Sequence, residues 1–267
     1  MLSISIVVYK QDIGIFKRTL ESIYLRLIED INIQEKTSII IIDNGNQKTK
    51  LEDAVNSYRE KHLKIEIISP KKNLGYGSGH NIAILKSNSD YHLVLNPDVI
   101  LQKYSLKYGL EYLDSNPQAI SVCPKCHDKE NRPQYIAKKY PSIFDLFLRG
   151  LMPEFIKRYF NKRLSAYEVR EITNADKVSE IELMGGCFML CRTEALKIIN
   201  GFDERYFLYF EDFALSIELG KLGKLIYLPS MSIIHFGGQT ARKGILHIFL
   251  FLSSGLKFFN QYGWKIF

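Results

Sequence analysis

Leu2-Ser-Ile-Ser-Ile-Val-Val-Tyr9, followed by Ile13-Gly-Ile-Phe-Lys-Arg-Thr-Leu-Glu-Ser-Ile-Tyr-Leu-Arg-Leu-Ile28, is the stretch on which the fold class turns. The first run is apolar and β-branched, the pattern of a buried strand. The second places Phe16, Leu20, Ile23 and Leu27 at three-to-four spacing, the buried stripe of an amphipathic helix. The unit recurs as Ile39–Ile42 before Leu51–Tyr58, Ile65–Ile68 before Ile82–Leu85, and His92–Leu95 before Leu106–Leu113, with Ile120–Cys123 after them. Strands alternating with helical patterns predict an α/β fold with a mainly parallel central sheet flanked by helices. In such sheets ligands gather beyond the carboxyl ends of the strands, where Asp43 and Asp98 both stand.

A chain of 267 residues that is 46% hydrophobic can bury a sizeable core as one continuous domain. Its 36 Lys and Arg against 29 Asp and Glu give a net charge of +7. That balance favours anionic partners such as nucleotide diphosphates, lipid phosphates or an anionic membrane face. Nucleic acid is not an expected partner, because no dense basic stripe interleaved with aromatics, zinc-finger spacing or single-strand-binding signature is present. The chain enters directly into a strand, without a basic region, a long apolar run and a cleavage site, so a cytoplasmic location is expected. Four cysteines in this length read as reduced thiols. Cys123-Pro-Lys-Cys126-His127 matches the c-type haem pattern, which chance explains, since that attachment occurs outside the cytoplasm. A zinc site joining this pair to Cys187 and Cys191 competes with a reading of the latter two as small core residues, and their apolar surroundings favour the core.

Two glycines end a strand pattern in Glu182-Leu-Met-Gly-Gly-Cys-Phe-Met-Leu-Cys-Arg192, and Gly201-Phe-Asp-Glu-Arg-Tyr-Phe-Leu-Tyr-Phe-Glu-Asp212 then sets adjacent carboxylates at a helix start. Upstream lie Ile39-Ile-Ile-Ile-Asp-Asn-Gly45, Asn73-Leu-Gly-Tyr-Gly-Ser-Gly-His-Asn81 and Leu95-Asn-Pro-Asp98; downstream lies Ile234-His-Phe-Gly-Gly-Gln-Thr240. In this order, across residues 1–240, they resemble the family 2 glycosyltransferases, inverting enzymes of the GT-A fold, and most closely the bacterial rhamnosyltransferase-like branch.

The resemblance implies a nucleotide side made of Tyr9, Asp43, Asn44, Asn73, Gly75, Asn81 and Asn96. A carboxylate such as Asp43 can accept from the imide of uracil or thymine, and the amides can meet base, ribose or phosphate. Taken alone, Asp-Asn-Gly is a turn signal. Glycines 75, 77 and 79 would let backbone approach a ligand closely. Asn96-Pro-Asp98 stands where most members carry Asp-x-Asp, so the resemblance implies a divalent cation, Mg2+ or Mn2+, on Asp98 with His235 as a second ligand. Asn96 departs from that pattern, because an amide is a weaker ligand than a carboxylate. Gly185 and Gly186 would floor the pocket where donor and acceptor meet, their alternative being a strand bulge. Asp212 is expected as the catalytic base and Glu211 as its structural neighbour, near a helix N-terminus that favours negative charge.

Two segments bear on location. Residues 143–160 carry aromatics and leucines among Arg149, Lys157 and Arg158, which suits either an amphipathic surface helix or a core-packing one. Residues 241–267 form an apolar tail after the 1–240 catalytic domain. His247, Ser253, Ser254 and Lys257 interrupt it, which fits a spanning helix poorly and leaves membrane association or docking on the domain open. The leading expectation is an inverting transfer of one sugar, rhamnose from dTDP-rhamnose, to a lipid-linked glycan acceptor at the cytoplasmic membrane face, in surface polysaccharide assembly. A sugar nucleotidyltransferase lacks its glycine-rich Arg-x-x-Pro segment here. A non-catalytic nucleotide- or glycan-binding module is the other alternative, and a homodimer stays open.

Overall fold

The computed structural model describes residues 1–237 and 244–267. Gly238, Gln239 and Thr240, and with them the expected boundary at residue 240, lie outside the described residues. The first half runs β1 (Leu2–Val8), α1 (Ile13–Leu27), α2 (Ile31–Glu35), β2 (Thr37–Asp43), α3 (Lys48–Glu60), β3 (Lys64–Ile68), α4 (Tyr76–Lys86) and β4 (Tyr91–Leu95). Next come β5 (Val99–Leu101), α5 (Ser105–Ser115), β6 (Ala119–His127), β7 (Ala137–Lys138), α6 (Ile143–Leu151), α7 (Glu154–Tyr159), α8 (Asn161–Tyr167) and α9 (Arg170–Asn174). The chain ends with β8 (Ser179–Ile181), β9 (Leu183–Met184), β10 (Phe188–Arg192), α10 (Thr193–Ile198), α11 (Glu211–Gly220), β11 (Lys224–His235) and α12 (Ile245–Tyr262).

Among the described residues the main sheet is ordered β3-β2-β1-β4-β10-β6-β11-β5, with β8 on β11, and β7 pairs with β9 beside it. The β3 to β4 half is parallel throughout. Beyond it β10 runs antiparallel between β4 and β6, β6 and β11 pair in parallel, and β5 is antiparallel to β11, so antiparallel strands join the parallel half in a mixed sheet. The order places a topological switch between β1 and β4, since the chain winds one way through β2 and β3 and returns to β4 on the other side. Crevices for ligands open there, at strand carboxyl ends. Tyr9 follows β1, and Asn96 to Asp98 follow β4.

One layer of the core holds Phe16, Leu20, Ile23 and Leu27 of α1 against Ile4, Ile6 and Leu93. Asp12 caps α1 by accepting from the Ile15 amide at 3.0 Å, which fixes where that buried stripe begins. The 143–160 segment becomes two helices, because Pro153 cannot continue the first. Their Phe147, Leu151, Phe155 and Tyr159 are exposed while Leu148 is buried. The tail is a docked helix: Phe258 and Phe259 of α12 are buried with Tyr206, Phe210 and Ala214.

Candidate active site

Two groups of side chains converge on the crevice. The first hangs from the turn after β4 and the end of β11. Val99 pairs with His235 in the ladder, and the Phe236 amide donates to the Asp98 carbonyl at 3.0 Å, which locks Asp98 beside His235. His235 Nε2 lies 3.4 Å from Asp98 Oδ1 and 3.4 Å from Asn96 Nδ2. Its tautomer follows from Gln134, whose amide NH2 donates to the His235 and Gly237 carbonyls and whose Oε1 therefore accepts from His235 Nδ1 at 3.0 Å. The Nε2 lone pair then faces Asp98. Gly237 closes over the pair: a Cβ there would lie 2.6 Å from Asp98 Oδ2.

This set fits a divalent cation. Asp98 Oδ1 and Asn96 Oδ1 are both buried without a hydrogen-bond partner. Two buried acceptors without partners form an unfavourable arrangement that a cation would relieve. Gln134, which orients the imidazole from behind, carries no motif and could not be found from the sequence.

The second group sits at the start of α11. Asp212 Oδ2 accepts from the Gly186 amide at 2.8 Å and Oδ1 from the Phe213 amide at 2.9 Å, while Glu211 is buried with Oε2 unpartnered. Burial raises the pKa of Asp212 from its ordinary value, although its backbone hydrogen bonds pull the other way. Glu211 is pushed well up, by burial and then by the neighbouring Asp212 charge. A carboxylate raised in this way is better matched to accepting a proton near neutral pH. Tyr209 and Phe210, just before the pair, have φ of 71° and 66°, a left-handed conformation that costs bulky residues about 1–3 kcal/mol each.

Tyr76 bridges the two groups. Its hydroxyl donates to the Gly186 carbonyl, and burial pushes its pKa well up, followed by Cys187, Glu211, Asp212 and Asp98. The tyrosine stands between two glycines of the Asn73–Asn81 segment, the one signal in the sequence that marks it. Gly186 lies between Asp212 and Tyr76 with no room for more: a Cβ would stand 3.2 Å from the Asp212 Cβ. Gly185 donates to the Ile136 carbonyl at 2.8 Å, continuing the β7–β9 pairing.

On the nucleotide side, Tyr9 is 54% exposed just past β1. Asp43 accepts from the amides of Gly45 at 3.0 Å and Gln47 at 2.8 Å, so it builds the turn after β2. Asn44 donates to the Gly75 carbonyl at 2.8 Å, and Asn73 accepts from the Gly75 amide at 2.9 Å. These bonds tie the two loops together. The Asn81 amide is spent on the 201–204 loop, donating to the Phe202 carbonyl at 2.9 Å and accepting from its amide at 2.8 Å. Glycines 75, 77 and 79 give close approach to Phe207, Phe202 and Val7 of this chain, where a ligand had been expected.

The family model described as "Glycosyl transferase family 2" matches residues 3–195. The N-acetylglucosaminyl-diphospho-decaprenol L-rhamnosyltransferase of Mycobacterium tuberculosis is 27% identical over 228 residues, which are 80% of this chain and 72% of that protein. Rhamnosyltransferase WbbL of Escherichia coli K12 is 28% identical over 226 residues, 81% of this chain and 80% of WbbL. Among solved structures, GalNAc-T7 with UDP, GalNAc and Mn2+ superposes with a TM-score of 0.69 at 14% identity, covering 92% of this chain and 44% of that one. The mannosyltransferase PcManGT of Pyrobaculum calidifontis, in complex with GDP-Man and Mn2+, gives 0.62 at 13% identity, covering 96% of this chain and 64% of that one. These superpositions bear on the fold, which is GT-A.

Proposed function

The chain belongs to glycosyl transferase family 2, and from that membership we propose that it moves rhamnose from dTDP-rhamnose to a lipid-linked glycan with inversion at the anomeric carbon. It is a glycosyltransferase; the donor, the acceptor and the residue roles are our reading. One observation carries it. Asp212 is held by the Gly186 amide at 2.8 Å, beside Tyr76, whose hydroxyl donates to the Gly186 carbonyl. The names of the two rhamnosyltransferase relatives support the sugar, and that of the mycobacterial one supports a lipid diphosphate acceptor.

In this reading Tyr9 and Asp43 flank the base, while Asn44 and Asn73 hold the loops that shape its pocket. Asn96, Asp98 and His235 hold a divalent cation, Mn2+ or Mg2+, which when bound neutralises charge on the diphosphate. The Mn2+ in both solved relatives supports a divalent ion. An acceptor hydroxyl lies over Gly186 and gives its proton to Asp212. Its oxygen forms the bond to the anomeric carbon as the bond to the diphosphate oxygen breaks, and the configuration inverts. Exposed Phe147, Leu151 and Phe155, with Leu246, Phe249 and Leu252 of α12, offer an apolar face for peripheral membrane contact. Among the described residues no helix is long and apolar enough to cross a membrane.

The test is a panel of nucleotide sugars with and without divalent ions, read by donor hydrolysis and by donor-induced thermal stabilisation. Cation-dependent stabilisation by dTDP-rhamnose above other donors is expected. Asp98→Ala should abolish the cation dependence, and Asn96→Asp should tighten cation binding by adding a carboxylate. Preference for another donor would discard the rhamnose assignment, and an unchanged cation titration in Asp98→Ala would remove that residue from the ligand set.

A further inference from the structure

The Cys-x-x-Cys pattern of the sequence does not close on itself. Cys123 packs into the core layer that holds Val94 and Met189, and Cys191 lies 3.1 Å from the Ser121 hydroxyl. Cys126, three residues on, faces the opposite layer together with Cys187. There the ligand atoms of Cys126, Cys187 and His235 all lie within 4.8 Å of one another, and all three residues are buried. No other group of three His, Cys, Asp or Glu side chains comes so close among the described residues. Three separate segments build the cluster: β6, the turn before β10 and the end of β11. Cys126 pairs with Ile233 in the β6–β11 ladder, two residues before His235, and the Cys187 carbonyl accepts from the Asn96 amide at 2.9 Å. Gln134 Oε1 lies between them, 3.0 Å from His235 Nδ1 and 3.8 Å from Cys126 Sγ.

We propose that Cys126, Cys187 and His235 form a binding site for a thiophilic divalent cation of the zinc class, whose occupation takes His235 from the donor site and inhibits transfer. The inhibitory half rests on the reading of His235 as a donor-site residue; the binding half does not. Two thiols and an imidazole are a zinc donor set, with water in the fourth position, and both thiol protons leave to solvent when the metal–sulfur bonds form. Tetrahedral zinc, with bonds of about 2.0–2.3 Å, sets its ligand atoms roughly 3.4–3.8 Å apart, so the cluster needs to contract by only about 1 Å. Sulfur discriminates against the Mn2+ and Mg2+ that oxygen-rich sites take, and zinc outranks manganese for shared nitrogen and sulfur ligands. A cavity of about 150 Å³, lined by Cys126, His127, Gln134 and Tyr227 among others, borders the cluster at Cys126.

The experiment uses chelator-treated full-length protein titrated with Co2+, a spectroscopic substitute for Zn2+. A near-ultraviolet thiolate-to-cobalt band should saturate at one equivalent and be bleached by Zn2+. It should be lost in Cys126→Ser and Cys187→Ser and kept in Cys123→Ser and Cys191→Ser. In parallel, Zn2+ is titrated into the Mn2+-supported reaction, each variant being compared with its own uninhibited rate. The inhibitory concentration should rise at least about tenfold in Cys126→Ser. Cys126→Ala and Cys187→Ala, with thermal unfolding of every variant, separate ligand loss from misfolding. Absence of the band in the wild type, or its survival in the Cys126 and Cys187 variants, overturns the site. A band with unaltered zinc inhibition in Cys126→Ser overturns the inhibitory half. The cobalt measurement needs no turnover, so its failure is distinct from failure of the rhamnosyltransferase reading.

Discussion

Asp212 occupies an environment with opposing demands. Burial favours its neutral form, while the Gly186 and Phe213 amides favour the carboxylate. The outcome is a pKa raised from the ordinary range, so the acid limb of kcat/KM is expected above the usual carboxylate value, with activity lost as pH falls through it. Asp212→Asn keeps the shape but cannot take the proton; turnover should fall by about two to four orders of magnitude with donor affinity nearly intact. A product that retained the donor's anomeric configuration, or near-normal turnover, would end the assignment. Glu211→Gln should cost less activity, because it keeps the size and shape of the buried side chain beside Asp212 and leaves the Asp212 carboxyl in place. Both carboxylates were legible in the sequence, since a Glu-Asp pair after Gly-Phe-Asp is a local pattern. Tyr76 and Gln134 were not, because what they do depends on groups 110 and 101 residues away in the chain.

At the level of elements, β1, β4 and α4 are joined by a buried polar chain that hydrophobic periodicity cannot show. Ser3 meets His92 Nδ1 at 2.6 Å, and Ser5 meets His92 Nε2 at 2.8 Å and His80 Nδ1 at 2.6 Å. Burial pushes His92 down to about 3 and His80 well below its usual value, helped there by His92. Between about pH 6.5 and 3 the unfolded chain therefore binds protons that the folded histidines refuse, and stability falls as pH falls. Glu211 and Asp212 act with the opposite sign, because their raised values let the folded state keep protons that the unfolded chain releases. The clean measurement is thus a difference: wild type minus His92→Gln in urea unfolding should change by about 1.4 kcal/mol per pH unit between pH 6 and 4.5. A flat difference would mean that His92 titrates normally. The same chain shows why α4 was legible only from Ile82 onward. Gly77 and Gly79 are poor helix formers, and its first turn is held by Phe202 and Val7 packing where their side chains would be.

On the scale of the whole molecule, α12 connects the apolar surface to the catalytic carboxylates. Its inner face seats Phe210 between Phe251 and Phe258, with ring centroids 5.0 and 5.2 Å away, and Gly255 leaves the space that ring needs. The Ser254 hydroxyl donates to the Leu208 carbonyl at 2.8 Å. These contacts hold Tyr209 and Phe210 in the left-handed conformation from which Glu211 and Asp212 emerge. In the sequence the tail shows only its apolar character and not its partner, since no periodicity tells which side of an apolar helix is wet. A tail serving only as an anchor would be dispensable for folding; this one completes a core layer. Deleting residues 245–267 should therefore cost stability, as should Phe258→Ala, by about 3–5 kcal/mol for that one side chain. Either change should lower turnover on short soluble acceptors, because the support for Phe210 is gone. Leu246, Phe249 and Leu252 lie on the outer face, and replacing all three by serine should preserve the melting temperature and soluble-acceptor turnover while weakening binding to anionic vesicles and transfer to lipid-linked acceptors. Vesicle binding equal to wild type in the triple variant would move the membrane contact off α12, and a deletion that melts like wild type would show that Phe210 holds its conformation without the helix.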